Sequence, residues 1–288
     1  MLADILVLLS IYALLGAGYV IVYRSSRVLN FAYPEIFMVS AYLGFAIVAT
    51  VQIDPHAIFP VGFVIGVVAG ILIYLFLMAP MAGQPVFAAV LVTIGLGIIL
   101  RGLVYIEFTG QSIFPGSELG VDNSTVDIFE GLSITRYGLV MVVASLAIIA
   151  GLLLFFRYSR LGMQMRAASF DPKLAAYRGM NIHLLFAIAW GMSLGIGAFA
   201  GGLYGMNYQI GIAISLVGIK ALVVALVGGM DSLTGLVPAA LIVAAMEILV
   251  QRFIDPALSE VIPFIVLVVI LLIRPWGLLG TKEMIDRV

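Results

Sequence analysis

Long apolar runs broken by short polar stretches set the scale of this chain. Ala57 to Leu100 is 44 residues without a charge. As one helix at about 1.5 Å per residue it would reach roughly 66 Å, twice a hydrocarbon core of about 30 Å. The run must therefore fold back once, and Ala79-Pro80 and Gln84-Pro85, with Gly83 between, supply the turn. By the same measure Ile5 to Tyr23, Ile36 to Ile53, Tyr137 to Phe156 and Leu184 to about Asn207 each give one span. Segments near 213–229, 233–251 and 260–273 are short, interrupted by Gly or Pro, or carry a charge, which suits tilted or broken helices inside protein. The pattern predicts an all-α polytopic membrane protein with about eight or nine transmembrane or re-entrant helices, forming a single transmembrane domain over 1–288.

Composition narrows the classes of function. Of 288 residues, 64% are hydrophobic and 10% charged, with a mean hydropathy of +1.23. A soluble domain carries about 25% charged residues, so a soluble enzyme is excluded. A net charge of -1 and a pI near 6.1 offer no basic field for nucleic acid. There is no cysteine, which removes disulfides, thiolate metal sites and Cys nucleophiles, and two histidines, His56 and His183, make no metal cluster. Met1 to Asp4 lacks a basic n-region and reads as the start of a retained helix rather than a cleaved signal peptide.

Charge placement gives an orientation. Arg24, Arg27, the 157–183 loop and the tail after Ile273 together hold ten of the fourteen Lys and Arg, while Arg136 and Arg252 fall on the other side. The basic side is cytoplasmic by the positive-inside rule. The N-terminus is then outside, the C-terminus is cytoplasmic, and 107–136 is an extracytoplasmic loop whose first part carries Glu107, Glu118, Asp122, Asp127 and Glu130 without a basic residue. A tag at Val288 that is accessible from outside would overturn this topology. The cytoplasmic loop 158–183 contains its own helix signals, with Asp171 as N-cap, Pro172 at the first helical position and Gly179 as the stop. The two turns between them, Lys173, Leu174, Ala175, Ala176, Tyr177 and Arg178, are too short to be stable alone. They form either a polar connector at the membrane surface or a knob that a cytoplasmic partner grips, with Leu174 and Tyr177 three apart on one face.

No catalytic set is legible: GxxxxGK[ST], HExxH and GxSxG are all missing from the sequence. Gly195-Ile-Gly197 and Gly201-Gly202 read as helix-packing positions. Ionisable groups at membrane depth are better leads, because each costs about 2.5 to 3.5 kcal/mol to insert. Four qualify: Glu35, Arg101, Lys220 and Glu247. Glu35 follows Pro34 at a first helical turn, where a carboxylate can satisfy backbone donors. Snorkelling at the outer rim accounts for Arg101, and an approach to Arg252 five residues on accounts for Glu247. Lys220 is the only charge between His183 and Asp231, and snorkelling from a re-entrant segment explains it less readily. Broken helices near the midplane are where transporters bind substrate, and Asn30–Glu35 and Gly228–Gly235 are the two polar, Gly- or Pro-containing interruptions. They hold loosely corresponding places in the two halves, although residue-level similarity between the halves is weak.

Five stretches, in order along nearly the whole chain, resemble one family. They are Leu29-Asn-Phe-Ala-Tyr-Pro-Glu-Ile-Phe-Met-Val-Ser-Ala-Tyr42; Leu91-Val-Thr-Ile-Gly-Leu-Gly-Ile-Ile-Leu-Arg-Gly102; Gly162-Met-Gln-Met-Arg-Ala167 through Asp171 to Gly179-Met-Asn-Ile182; Lys220-Ala to Gly228-Gly and Gly235; and Arg274-Pro-Trp-Gly-Leu-Leu-Gly280. The family is that of the inner-membrane permease subunits of ABC importers for branched-chain amino acids, the LivH type, which includes urea and amide permeases. Two departures stand out. The family's usual HG before the glutamate is Tyr33-Pro34 here, and of the EAA triplet common in ABC importers only Ala175 is matched, at the place of Lys173, Leu174 and Ala175.

The resemblance implies a permease of a prokaryotic inner (plasma) membrane that forms the translocation path with a second, LivM-type permease. Two cytoplasmic ABC ATPases would drive it and an extracytoplasmic substrate-binding protein would deliver the solute. ATP and Mg would sit on the ATPases, with no cofactor on this chain. Residues 171–179 would be the coupling helix in the ATPase groove. Asn30, Tyr33, Glu35, Thr93 and Lys220 are the candidate substrate path. A self-sufficient channel or secondary transporter would instead need its own gradient-coupling site, for which an acid pair of Glu35 and Glu247 is the available material. A membrane enzyme lacks an assembled catalytic set.

Overall fold

The computed structural model describes residues 1–129 and 132–282. Glu130, Arg287 and Val288, which the charge reading used, lie outside the described residues. Helix α1 (Leu2–Ser26) is followed by α2 (Tyr33–Val51), by α3 (Ile58–Ile73) prolonged through a π-helical turn, Tyr74–Met78, and by α4 (Val86–Phe108). A short α5 (Pro115–Glu118) and a two-stranded antiparallel hairpin, β1 (Thr125–Phe129) and β2 (Leu132–Thr135), precede α6 (Arg136–Tyr158). Then come α7 (Arg160–Phe170), α8 (Pro172–Tyr177), α9 (Ile182–Asn207), α10 (Ile214–Gly228), α11 (Leu233–Phe253), α12 (Pro256–Ser259) and α13 (Ile262–Ile273). Among the described residues seven helices are long and apolar enough to cross a membrane, and α10 and α13 are shorter apolar helices. The protein is an all-α polytopic membrane protein. The 107–136 loop carries a small hairpin, β1 and β2, and the 158–183 loop carries α7 as well as the two-turn helix.

Helix α1 is the axis of the bundle. It is apolar on every side, and Ile11 to Val22 is buried at every position, as an all-round apolar helix must be when protein surrounds it. It packs against α6, α9, α10 and α11. Helix α3 lies along α9, where Gly66 and Gly70 bring its backbone onto the carbonyls of Leu194 and Trp190.

The first interruption places a helix start inside the bundle. Helix α1 ends at Arg27 in the left-handed region (φ 55°), and residues 28–32 turn back to α2. The Tyr33 ring lies against Gly197, fifteen residues or about 22 Å into the 26-residue α9, so α2 begins in the middle third of the bundle. The second interruption is different. Gly229 (φ 104°) and the Ser232 cap, which accepts from the Gly235 N–H at 3.1 Å, join α10 to α11 near Tyr23 and Arg27, at the end of α1. There the tail closes on it: the N–H groups of Leu278 and Leu279 donate to the carbonyls of Val227 (2.8 Å) and Gly228 (3.1 Å), and the Thr281 N–H donates to the Asp231 carboxylate. A Cβ at Gly280 would strike the Trp276 carbonyl, which is why this turn needs glycine.

The two ends differ in charge. Arg24 stacks on Phe156 at 4.9 Å, Lys282 lies over Trp276, and the α3–α4 turn approaches α8 and α9, so the basic segments share one end. At the other end Asn207 ties α9 to the 107–136 segment through Asn123 and Thr135, and Arg136 pairs with Asp122 at 3.1 Å. The His56 backbone N–H and ring there hold the Asp54 carboxyl below the usual carboxylate range.

Candidate functional site

The start of α2 gathers most of the predicted path residues. Pro34 occupies the first turn, and the cap Ala32 offers no side chain to the free N–H groups. The gap is filled from nearby: Asn30 Oδ1 accepts from the Ala32 N–H (3.0 Å), and Thr93 Oγ1 on α4 accepts from the Phe31 N–H (3.1 Å). The Tyr33 hydroxyl donates to the Ser193 carbonyl (3.1 Å), and Ser193 in turn donates to the Gly18 carbonyl (2.8 Å). Thus Asn30, Tyr33, Glu35 and Thr93 belong to one cluster where α1, α2, α4 and α9 meet.

Glu35 is partnered by a residue that sequence reasoning placed elsewhere. Arg101 donates from Nη2 to Glu35 Oε1 and to Ser215 Oγ on α10 (3.0 Å). Snorkelling at the rim is therefore not what accounts for Arg101, and Glu35 accepts from that guanidinium rather than from the α2 backbone. Opposite charges at membrane depth pair when they can reach each other. Within this cluster two buried polar atoms, Asn30 Nδ2 and Glu35 Oε2, have no partner; among the described residues Trp190 Nε1 is a third. The helix start thus presents one free donor and one free acceptor beside its own positive end.

Lys220 belongs to a second cluster. Its Nζ lies 2.5 Å from Glu247 Oε1 and 2.8 Å from Glu260 Oε2, and the Tyr12 hydroxyl donates to Glu247 Oε2 at 2.7 Å. Glu247 does not turn to Arg252, because the buried Lys220 on the neighbouring helix is nearer in space. Nor does Lys220 snorkel: its side chain is 7% exposed. Helix α10 divides the clusters, showing Ser215 and Gly218 to Arg101 and Pro34, and Lys220 to α1 and α11. Lys220 and Glu247 line a cavity of about 670 Å³ that reaches the surface beside the exposed Glu260 and Arg252. Tyr208, after the end of α9, lines it too, and burial, then Asp4, pushes its phenol up.

The third place is α8, at the basic end. Asp171 Oδ1 accepts from the Leu174 N–H at 2.9 Å, Pro172 follows the cap, and Gly179 takes φ 80°. Ala175 is the buried anchor of the helix, while Lys173, Leu174, Ala176, Tyr177 and Arg178 are exposed. Leu174 is 55% exposed, and Tyr177 and Phe170 are each 88% exposed. Large apolar side chains set among basic ones mark a surface for a membrane or a protein partner. Arg101, Ser215, Tyr12 and Glu260 were not among the predicted site residues. Matching each membrane-depth acid to a membrane-depth base would have found Arg101; Ser215, Tyr12 and Glu260 needed the fold.

Comparison with known proteins adds the following. Residues 1–271 match the family model described as "Branched-chain amino acid transport system / permease component". The high-affinity branched-chain amino acid transport system permease protein LivH of Salmonella typhimurium is 30% identical over 95% of this chain and 92% of its own. LivH of Escherichia coli K12 gives the same values, and BraD of Pseudomonas aeruginosa is 27% identical over 95% and 93%. A distant likeness, at TM-score 0.46 and 14% identity, covers 93% of this chain and 90% of a chain of PsaBC from Streptococcus pneumoniae.

Proposed function

Because this chain belongs to the family of permease components of branched-chain amino acid transport systems, we propose that it is a permease of the inner membrane that works as one subunit of an ATP-driven importer for these amino acids or a related small polar solute. A second permease of the same type completes the path, two cytoplasmic ATPases carry ATP and Mg, and an extracytoplasmic binding protein delivers the solute. The basic end of the bundle is cytoplasmic, so the N-terminus is outside and the C-terminus inside.

The structural observation that carries the coupling role is α8, a capped two-turn knob that buries Ala175 and presents Leu174 and Tyr177 outward. A helix so short is held by its cap and by α7 and α9, and it transmits a push because its anchor is rigid. In this reading the loaded binding protein docks outside, ATP closes the ATPases, α8 passes that motion to α7 and α9, and the path opens inward. The polar start of α2 and the Lys220 cavity are the places along that path where a polar solute finds partners. A self-sufficient secondary transporter gains no support, since Glu35 and Glu247 lie on opposite sides of α10 and each is paired with a base.

Replacing Leu174–Arg178 with Gly/Ser in the assembled complex tests the coupling role. Uptake should be lost while ATP hydrolysis continues and membrane insertion is normal. Normal uptake by that variant would remove α8 from the mechanism.

A further inference from the structure

We propose that the Lys220 cavity is a subsite for a zwitterion: an aliphatic α-amino acid whose ammonium takes Glu260 and whose carboxylate takes Lys220, in place of the Lys220–Glu260 bridge. The proposal rests on the importer reading and adds to it a place, a charge pattern and a mechanism of capture.

One ammonium here serves two carboxylates. Glu247 is held on both oxygens, by Lys220 and by the Tyr12 hydroxyl, and is 6% exposed. Glu260 is held by Lys220 alone among the described residues, and its side chain is 60% exposed at the joint of α12 and α13. The two bonds are thus unequal. The Glu247 bond is part of the packed wall, and the Glu260 bond closes the mouth of the cavity and is the one that can open. When it opens, a carboxylate and an ammonium donor are released about one ion pair apart, a matched set for the two ends of an α-amino acid. One charge contact is broken and two are formed. Neither a lone anion nor a lone cation makes that exchange: an anion meets Glu260 and Glu247, and a cation leaves Lys220 without its second partner. Arg252 lines the same cavity, makes no ion pair among the described residues, and adds a positive field for the entering carboxylate.

One part of the lining fits an aliphatic side chain, beside the polar Asp4, Tyr204, Tyr208 and Gln251. Leu8 of α1, Val217 of α10 and Ile248 of α11 face the cavity. Its volume of about 670 Å³ falls within the range of roughly 300 to 1,000 Å³ that holds small ligands.

The test uses the whole complex in proteoliposomes, with this chain, its partner permease, the ATPases and the binding protein. Uptake of labelled leucine and ATP hydrolysis stimulated by the leucine-loaded binding protein are measured side by side. Glu260→Gln should lower uptake by about tenfold or more, the cost of removing one member of a charge pair, while stimulated hydrolysis stays within about twofold. Glu260→Asp should recover part of the loss. Leu8→Trp, which fills the cavity without touching a charge, should also block uptake. Unchanged uptake in Glu260→Gln or in Leu8→Trp would overturn the subsite alone, as would a parallel loss of hydrolysis and uptake in Glu260→Gln, which would make Glu260 a docking contact for the binding protein. A wild-type complex that takes up neither leucine nor any other branched-chain amino acid or small polar solute would overturn the importer reading as well.

Discussion

Lys220 on α10 and Glu247 on α11, 27 residues apart in the chain, meet at 2.5 Å with side chains 7% and 8% exposed. Glu247 depends on its partner the more, since without Lys220 it keeps only the neutral Tyr12 hydroxyl, whereas Lys220 without Glu247 keeps Glu260. Lys220→Met alone should lower stability by about 3 to 5 kcal/mol and Glu247→Gln by less, because Lys220 keeps Glu260, whereas Lys220→Met with Glu247→Leu should recover most of the Lys220→Met loss. Thermal unfolding of the detergent-solubilised protein checks this, and additive losses in the double variant would contradict it.

Arg101 and Glu35 form the milder case. The Arg101 side chain is 42% exposed, and Glu35 sits at the positive start of α2, which would keep some hold on the carboxylate. Arg101→Gln should therefore cost less than Lys220→Met by about 1 kcal/mol or more in the same assay.

Glycines on α3 are expected to be intolerant where α9 approaches. A Cβ at Gly70 would overlap the Trp190 carbonyl, and one at Gly66 would come 2.5 Å from the Leu194 carbonyl. Gly66→Ala and Gly70→Ala should each cost about 1 to 3 kcal/mol, the range for overpacking. Gly95→Ala on α4, with nothing within 4 Å of its Cβ, is the control and should be neutral or slightly stabilising.

Asp171 caps α8 through the Leu174 N–H. Asp171→Ala should remove about 1 kcal/mol from a helix with little to spare and lower the solute moved per ATP, while Asp171→Asn keeps the cap and the coupling. The ratio of labelled uptake to phosphate release in proteoliposomes reads this directly.

Much of the fold was legible because lipid imposes one rule, an apolar run long enough to span. The fold-back at Gly83, the break before Pro34 and the cap at Asp171 all stand where the residues put them. The depth of each break was not legible. Both interruptions are short polar stretches in sequence, yet α2 starts in mid-bundle while the Gly228–Gly235 turn lies at the basic end, a distinction set by how far the chain doubles back and by the tail that covers Gly228. Nor was the partnering of charges, since the rise and rotation of a helix tell how far apart two residues on it are but not which helix lies opposite. In sequence Glu247 therefore has only Arg252 within reach, and nothing in sequence separates Lys220 from Asn30, Tyr33, Glu35 and Thr93 as α10 does in the fold. Helix α7 was missed because its composition is mixed and its apolar stripe is short.

Under the proposed function this chain moves solute only as part of an ATP-driven assembly. The most direct measurement is uptake of labelled leucine into proteoliposomes holding either the whole complex or this chain alone, with and without ATP. The account predicts uptake that requires ATP, the ATPases and the binding protein, and none from the chain alone. Leucine accumulation by the chain alone, driven by an ion gradient and indifferent to ATP, would contradict it.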